Sequence, residues 1–217
     1  MKKIKDQKVH RRTYEEIGEL VTKARDRWRI SLRHQIYMTA VFDALKGEEF
    51  GSSGRLDIEF HANENLEPCV KFSPLRLCVS KGTWTRASLG ASLDNFKLAH
   101  ELGHILLHKY HVLNFSNGRE AQLTFIPNEE SAEWQANAFA AQFLTPNELA
   151  LNCGTRQALV EEFNYPPEFA EERLQYILEY KRRRYASGAC SKCGSLCLEK
   201  FGSEFYCQNC DPLVSHL

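Results

Sequence analysis

Residues 96–108 read Phe-Lys-Leu-Ala-His-Glu-Leu-Gly-His-Ile-Leu-Leu-His, and this stretch is the strongest guide to the fold. Its apolar residues recur every three to four positions, which predicts a largely buried α-helix over about residues 94–110, with Asp94 as its N-cap. His100 and His104 stand four residues apart, so both imidazoles leave the same face of that helix. Gly103 costs about 1 kcal/mol of helix propensity, which predicts a close approach by another element.

The two histidines predict a metal site. Two nitrogens from one helical turn are half of a zinc site, and Glu101 is placed to take a proton from a water in the remaining coordination position. Zinc lowers the pKa of bound water from about 15.7 to about 7, so this carboxylate need not be a strong base. An exposed helix with two incidental histidines is the alternative, but unpaired histidines are costly on so apolar a helix. We therefore expect His100 and His104 as zinc ligands and Glu101 as general base.

A catalytic zinc needs a third protein ligand, for which the sequence offers two patterns. A third histidine six residues after the second is excluded, because Tyr110 occupies that position. The other pattern takes a glutamate from a following helix, and Glu133 opens an Ala-rich helix expected at about residues 130–144. Asn137, one turn later, is expected to accept a hydrogen bond from the outer N–H of a zinc-bound histidine. Three nearby carboxylates remain competitors: Glu120, Glu129 and Glu130.

The end of the first helix carries further polar groups with open roles. His108 either caps the helix C-terminus, where the helix dipole favours a cation, or points toward the metal site. Tyr110 and His111 are both candidates for stabilising an oxyanion.

The rest of the chain predicts an α+β fold with a small antiparallel sheet packed on helices. A long amphipathic helix is expected from about residue 13 to the low forties. Alternating apolar residues predict strands at 56–61 and 75–80, followed by a loop rich in Gly, Ser and Thr at 82–92. The remaining elements are a short strand near 123–126 and two helices at about 146–163 and 167–185.

The histidine-containing stretch resembles the "FTLAHELGHxLLH" signature of the ImmA/IrrE family of bacterial zinc metallopeptidases. Residues 133–146, Glu-Trp-Gln-Ala-Asn-Ala-Phe-Ala-Ala-Gln-Phe-Leu-Thr-Pro, are similar to the family's "ExxANxFAAxLLMP" segment, and residues 163–174 to its C-terminal helical stretch. The resemblance covers about residues 15–180. It implies a gluzincin-like (zincin-like) α+β core, with a zinc ion held by three ligands and a general base. The implied residues are His100, His104 and Glu133 on zinc and Glu101 as base.

Members of that family cleave transcriptional repressors, typically helix-turn-helix proteins, in phage, mobile-element or stress-response switches. The resemblance therefore implies a protein substrate of this kind. Two departures stand out. Thr145 replaces the usual Met before Pro146, and the segment at 82–93 is longer than is typical, which makes it a candidate for shaping a substrate groove.

Two Cys-x-x-Cys pairs near the C-terminus predict a second metal site. They are Cys190 with Cys193 and Cys207 with Cys210, separated by 13 residues. Four thiolates form a closed tetrahedral site, so we expect a zinc ribbon with one structural zinc, in which Gly202-Ser203 suits a hairpin turn. Disulfides are the alternative pairing, and Cys197 is a competing ligand. The three scattered cysteines are expected to be packing residues: Cys69, Cys78 and Cys153.

Length and composition limit the number of domains and the kinds of partner that the sequence allows. The 217 residues suit a metallopeptidase domain at 1–185 and a ribbon at 186–217. Lys+Arg and Asp+Glu both total 28, so no global charge indicates a nucleic acid or an anionic membrane. The basic residues near the N-terminus are typical of a solvated segment. The basic run at 181–184 slightly favours a contact with DNA or protein through the ribbon. With neither a membrane-spanning run nor a secretory signal, we expect a cytoplasmic protein with reduced thiols.

The leading functional hypothesis is a zinc metallopeptidase that cleaves a transcriptional repressor at a specific site. The alternative is a zinc-containing binding or sensor protein that docks to a transcription factor or DNA without cleaving it. Whether a repressor is shortened or only bound distinguishes the two.

Overall fold

The computed structural model describes residues 6–51, 54–108 and 126–186, and the backbone of strands at 198–201 and 204–207. Several predictions lie outside the described residues: Tyr110, His111, Glu120, positions 123–125 of the strand predicted at 123–126, and the ribbon cysteines Cys190, Cys193, Cys197 and Cys210. Cys207 is the last residue of the second of these strands.

The predicted long N-terminal helix is in fact two helices, α1 (Tyr14–Arg27) and α2 (Met38–Leu45). A capping box formed by Thr13 and Glu16 starts α1. The helix ends because the buried Arg25 guanidinium donates to three carbonyl oxygens of the following turn, those of residues 30, 31 and 33, and Arg29 takes a left-handed backbone conformation at φ 57°. Helical periodicity does not predict side-chain-to-backbone contacts of this kind.

A three-stranded sheet follows, made of β1 (Asp57–His61), β2 (Cys69–Phe72) and β3 (Leu75–Ser80). The predicted strands at 56–61 and 75–80 are confirmed as β1 and β3, while the short, partly exposed β2 was missed. The strand order is β1-β3-β2, with β1 parallel and β2 antiparallel to β3. The sheet is therefore mixed rather than antiparallel. Its central strand, β3, is the last of the three in the chain, and β1 and β2 pair with its two edges in opposite directions.

The segment predicted as a loop at 82–92 contains a helix instead, α3 (Lys81–Ser88). Ser80 caps it by accepting from the N–H of Thr83, and Ala87 is fully buried. The prediction was wrong because Gly, Ser and Thr mark loops only when no tertiary packing overrides their low helix propensity.

Two packed helices form the centre of the molecule, α4 (Ser92–His108) and α5 (Ala132–Leu144). Asp94 was predicted to cap α4. Its carboxylate instead accepts two hydrogen bonds from the Arg86 guanidinium of α3, at 2.7 and 3.1 Å. Gly103 confirms the expected close approach: an added Cβ would lie 3.1 Å from the backbone of Ala136 and 3.2 Å from Cβ of Phe139. Glycine at this position therefore sets the separation of α4 and α5.

The chain then forms α6 (Asn147–Ala150), α7 (Arg156–Phe163) and α8 (Ala170–Ala186), which together replace the two helices predicted for this region. Thr145, the residue that departs from the family pattern, is buried and accepts from Nε of Arg173 at 2.7 Å. The Arg173 guanidinium also donates to the Tyr14 hydroxyl at 2.8 Å, so it ties α8 to α1. A polar residue at 145 is thus part of a buried hydrogen-bond network.

Two further strands, β4 (Leu198–Phe201) and β5 (Glu204–Cys207), pair antiparallel with Phe201 opposite Glu204. Two residues join them, the length expected for a hairpin. The whole is an α+β architecture with a small sheet packed on helices, consistent with a zincin-like core. Within the described part of the chain, no helix combines the length and apolarity that crossing a membrane requires.

We predict that Gly103→Ala destabilises the protein by up to about 2 kcal/mol, since overpacking of about 1–3 kcal/mol opposes a gain of about 1 kcal/mol in helix propensity. Denaturant unfolding measures the change. Gly154→Ala is the matched control, because an added Cβ there meets nothing within 4 Å. Equal stability of the Gly103→Ala and wild-type proteins would show that the α4–α5 contact is not tight.

Candidate metal centre

Three donor groups from α4 and α5 converge on one point. Nε2 of His100 lies 2.9 Å from Nε2 of His104. The Glu133 carboxylate faces both rings, with Oε2 3.3 Å from Nε2 of His100 and Oε1 3.5 Å from Nε2 of His104. Ligands about 2.0–2.1 Å from one tetrahedral ion lie roughly 3.3 Å apart, so the separations match the edges of a zinc polyhedron.

The proton of His100 is assigned by its contact with Asn137. Nδ1 of His100 lies 2.7 Å from Oδ1 of Asn137, the atom of that side chain that only accepts hydrogen bonds. In the neutral ring Nδ1 therefore carries the proton and donates, which leaves a lone pair on Nε2 directed at the shared point. This is the contact expected for Asn137 from the sequence.

A longer chain of contacts assigns the proton of His104. The amide nitrogen of Gln135 donates to the carbonyl oxygens of His10 and Glu129 at 2.8 and 2.7 Å, which fixes the amide orientation. Its Oε1 then accepts from Nε2 of His108 at 3.1 Å. In the neutral His108 ring, Nδ1 is therefore an acceptor, and it receives the Nδ1 proton of His104 at 3.0 Å. Nε2 of His104 is left with a lone pair.

Two imidazole nitrogens and a carboxylate that face one another favour a positive charge between them, either a proton or a metal ion. Burial lowers the pKa of His104 to about 2, and the neighbouring His100 and His108 act in the same direction. Burial also lowers the pKa of His100, but its hydrogen bond to Glu133 and the charges of Glu101 and Glu133 outweigh this and raise it. Since His104 stays unprotonated and Nε2 of His100 points at the same place, a metal ion suits this chemistry best.

Glu101 lies beside this donor set. Its carboxylate is within 4.8 Å of the ligating atoms of both histidines. It is 7% exposed, and the backbone N–H of Val70 on β2 donates to it. Burial raises the pKa of Glu101 to about 7, with His100 opposing and Glu133 adding to the shift. A carboxyl group with a pKa in this range can both accept and return a proton near neutral pH.

The N-terminal segment, residues 6–12, holds the start of α5, where Glu133 stands. The backbone N–H groups of Val9 and Arg12 donate to the carbonyl oxygens of residues 130 and 129, both at 2.8 Å. The Asp6 carboxylate accepts from the backbone N–H of Glu133 at 3.2 Å. The basic residues of this segment were expected to be solvated chain; residues 7–12 instead form part of the support for the site.

Two competing carboxylates are engaged elsewhere. Glu129 pairs with Arg11, and Glu130 pairs with Lys8 at 2.5 Å. Both pairs belong to the contact between the N-terminal segment and the turn before α5. Among the described candidates for the third ligand, Glu133 is the carboxylate that faces both histidines.

Sequence reasoning missed Gln135 and underweighted His108, for which capping was the favoured role. His108 is buried at the end of α4 and its ring turns toward His104. A signal for this was present, because 100, 104 and 108 share one helical face. Gln135 gave no such signal, since its partners lie in three separate segments.

A cavity of about 180 Å³ lies beside the metal centre and shares Asn137 with it. Much of its lining is aromatic: Tyr14, Phe96, Trp134, Tyr165, Phe169 and Tyr176. The buried Arg173 provides the positive charge of the wall. A cavity of this kind can accommodate a large apolar side chain.

Comparison with known proteins supports a peptidase-type function. Residues 86–175 match the family described as Peptidase M78, IrrE N-terminal-like domain. The match covers less than half of the chain but includes α4, α5 and every donor of the candidate centre. No curated protein matches the chain, and no solved structure does.

We predict that Gln135→Leu weakens zinc binding at this centre about 10–100-fold, the usual effect of removing a group that orients a ligand. Gln142→Leu is the matched control. Gln142 is also buried in α5, and its amide also donates to a backbone oxygen, that of Tyr14 at 2.8 Å. Competition with a chromophoric chelator measures the zinc affinity of each site. The affinity that is missing in Glu133→Ala is the one that belongs to this centre. Equal affinities in the two leucine variants would contradict the role given to Gln135.

Proposed function

We propose that the chain is a zinc-dependent peptidase, with zinc held by His100, His104 and Glu133. The observation that carries the proposal is the pair of Nε2 atoms 2.9 Å apart, with the Glu133 carboxylate facing both. The peptidase-family match over the same residues supports it independently. The donor set, two imidazoles and a carboxylate, is one that catalytic zinc sites use when a coordination position is left for water or substrate.

When bound, zinc would polarise the scissile carbonyl and lower the pKa of water at the site. Glu101 carries out the proton transfers in this mechanism. It accepts the proton of the attacking water and then gives that proton to the nitrogen of the departing amine. Val70 keeps the Glu101 carboxylate in place through its backbone N–H, and the surrounding burial holds the pKa near neutrality.

The substrate we propose is a helix-turn-helix transcriptional repressor, cleaved at a specific internal bond in the cytoplasm. This step rests on the resemblance to the ImmA/IrrE family, whose members act in phage, mobile-element or stress-response switches. The aromatic cavity beside Asn137 supports a narrow specificity, because it suits a large apolar residue of a bound peptide.

For the C-terminal module we propose a structural zinc bound by Cys190, Cys193, Cys207 and Cys210, with a role in docking to protein or DNA. The β4–β5 hairpin is compatible with a ribbon. The neighbouring basic run supports DNA contact less than its sequence suggests, because Arg182 and Arg183 pair with Glu179, and Arg183 also with Glu15.

We expect Glu101→Gln to abolish measurable cleavage of a co-encoded repressor, by about 10²–10⁴-fold or more, while the zinc content stays unchanged. The substitution keeps the shape of the side chain but removes its basicity. Gel electrophoresis of the repressor and elemental analysis of the peptidase give the two readouts. Cleavage at the wild-type rate would eliminate the mechanism, and an intact repressor bound by the wild-type protein would favour the binding-module alternative.

We expect Glu133→Ala to contain one zinc fewer per chain than the wild type, because two imidazoles alone hold zinc weakly. Glu130→Ala is the neighbouring control, since its carboxylate pairs with Lys8 and should leave the zinc count unchanged. Elemental analysis of the purified proteins measures both. An undiminished count in Glu133→Ala would transfer the third-ligand role to another carboxylate.

A further inference from the structure

A second group of metal-binding side chains lies on one face of the three-stranded sheet. Glu59 and His61 are two residues apart on β1, so they point to the same face. Cys78 stands opposite Glu59 in the parallel β1–β3 pair, and Cys69 stands opposite Cys78 in the antiparallel β2–β3 pair. The register of the sheet therefore places a carboxylate, an imidazole and two thiols side by side.

Three of these groups already lie within coordination reach of one another. The ligand atoms of Glu59, His61 and Cys78 are all within 4.8 Å. Nε2 of His61 is 3.5 Å from Oε1 of Glu59, and Sγ of Cys78 is 4.0 Å from Oε2 of the same carboxylate. Small side-chain rotations would bring the three atoms to the roughly 3.3–3.7 Å that zinc ligands keep.

The imidazole of His61 points a buried nitrogen into this group. Its Nε2 has almost no exposed surface and no hydrogen-bond partner, although it lies 3.5 Å from Oε1 of Glu59. Cys78 is fully buried. A buried polar nitrogen without a partner is costly, and the cost disappears when that nitrogen ligates a cation.

Two cationic side chains lie near the Glu59 carboxylate, and both approach the same oxygen of it, Oε2. Nη1 of Arg76 lies 3.2 Å and Nζ of Lys71 3.9 Å from Oε2 of Glu59. Oε1, the oxygen nearest His61, has no such neighbour in the described residues. The carboxylate can thus keep its pair with Arg76 and still offer its second oxygen.

We propose that Glu59, His61 and Cys78 form a zinc-binding site on this sheet face, separate from the centre on α4 and α5. A thiolate, an imidazole and a carboxylate are the donors that zinc combines in proteins. On binding, the Cys78 thiol gives its proton to solvent and the resulting thiolate ligates the ion, so no electron transfer is involved. The ion would link β1 to β3 across the sheet.

Cys69 supplies a further thiol next to this site. Its backbone stands opposite Cys78 in the β2–β3 pair, and its side chain is exposed.

Zinc content after equilibration with zinc salt and removal of the excess tests the proposal. We expect His61→Gln and Cys78→Ser each to hold one zinc fewer than the wild type. His34→Gln and Cys153→Ser are matched controls, because His34 also neighbours a glutamate, at 3.9 Å, and Cys153 is also a buried free thiol. Both controls should retain the wild-type count.

The comparison among variants keeps this site distinct from the others. The α4–α5 centre and the Cys-x-x-Cys site contribute equally to wild type and to both test variants, so their occupancy cancels in the difference. His61 is partly exposed, which makes His61→Gln informative even where Cys78→Ser folds poorly, and thermal unfolding verifies the fold of each variant. An equal zinc count in wild type and a folded His61→Gln protein would overturn the proposal.

Discussion

The contact between α4 and α5 at Gly103 is the constraint on which the candidate centre depends. A side chain at 103 would meet the backbone of Ala136 at 3.1 Å, so the helices approach as closely as they do only because that residue is glycine. Residues of the candidate centre flank this contact on both helices: His100 and His104 flank Gly103, and Glu133 and Asn137 flank Ala136. Helix packing and ligand geometry are therefore one requirement, since any change in the interhelical distance also moves Glu133 relative to the two histidines.

Around that contact, polar side chains decide where the imidazole protons sit. Asn137 and His108 each engage an Nδ1 atom, and both Nε2 lone pairs consequently point inward. His108 depends on Gln135, whose amide orientation is fixed by the backbone of the N-terminal segment and of the turn before α5. A network of this kind is favourable only when every member is satisfied. Residues 6–12 thus support the candidate centre although they contribute no donor to it.

What the sequence predicted well was local in the chain. Histidines four residues apart and the Ala-rich segment after Glu133 have spacings that follow from helix geometry alone, and the structure brings these residues together. What it missed depends on distant partners. Arg25 ends α1 by binding carbonyl groups of the next turn and that of Phe143, α3 forms because its Ala87 is buried, and Gln135 acts through segments far apart in sequence. Neither periodicity nor motif spacing encodes such contacts.

The two groups of donors on this chain differ in what their surroundings allow. Beside the histidines of α4, Glu101 is buried, accepts the backbone N–H of Val70 and pairs with no lysine or arginine among the described residues, so it can exchange a proton. On the sheet face, the carboxylate of Glu59 is itself one of the donors, and Arg76 and Lys71 hold its other oxygen. No second carboxylate belongs to that described cluster to act as a base. An ion there would cross-link strands rather than activate water, which is why we assign hydrolysis to the helical centre alone.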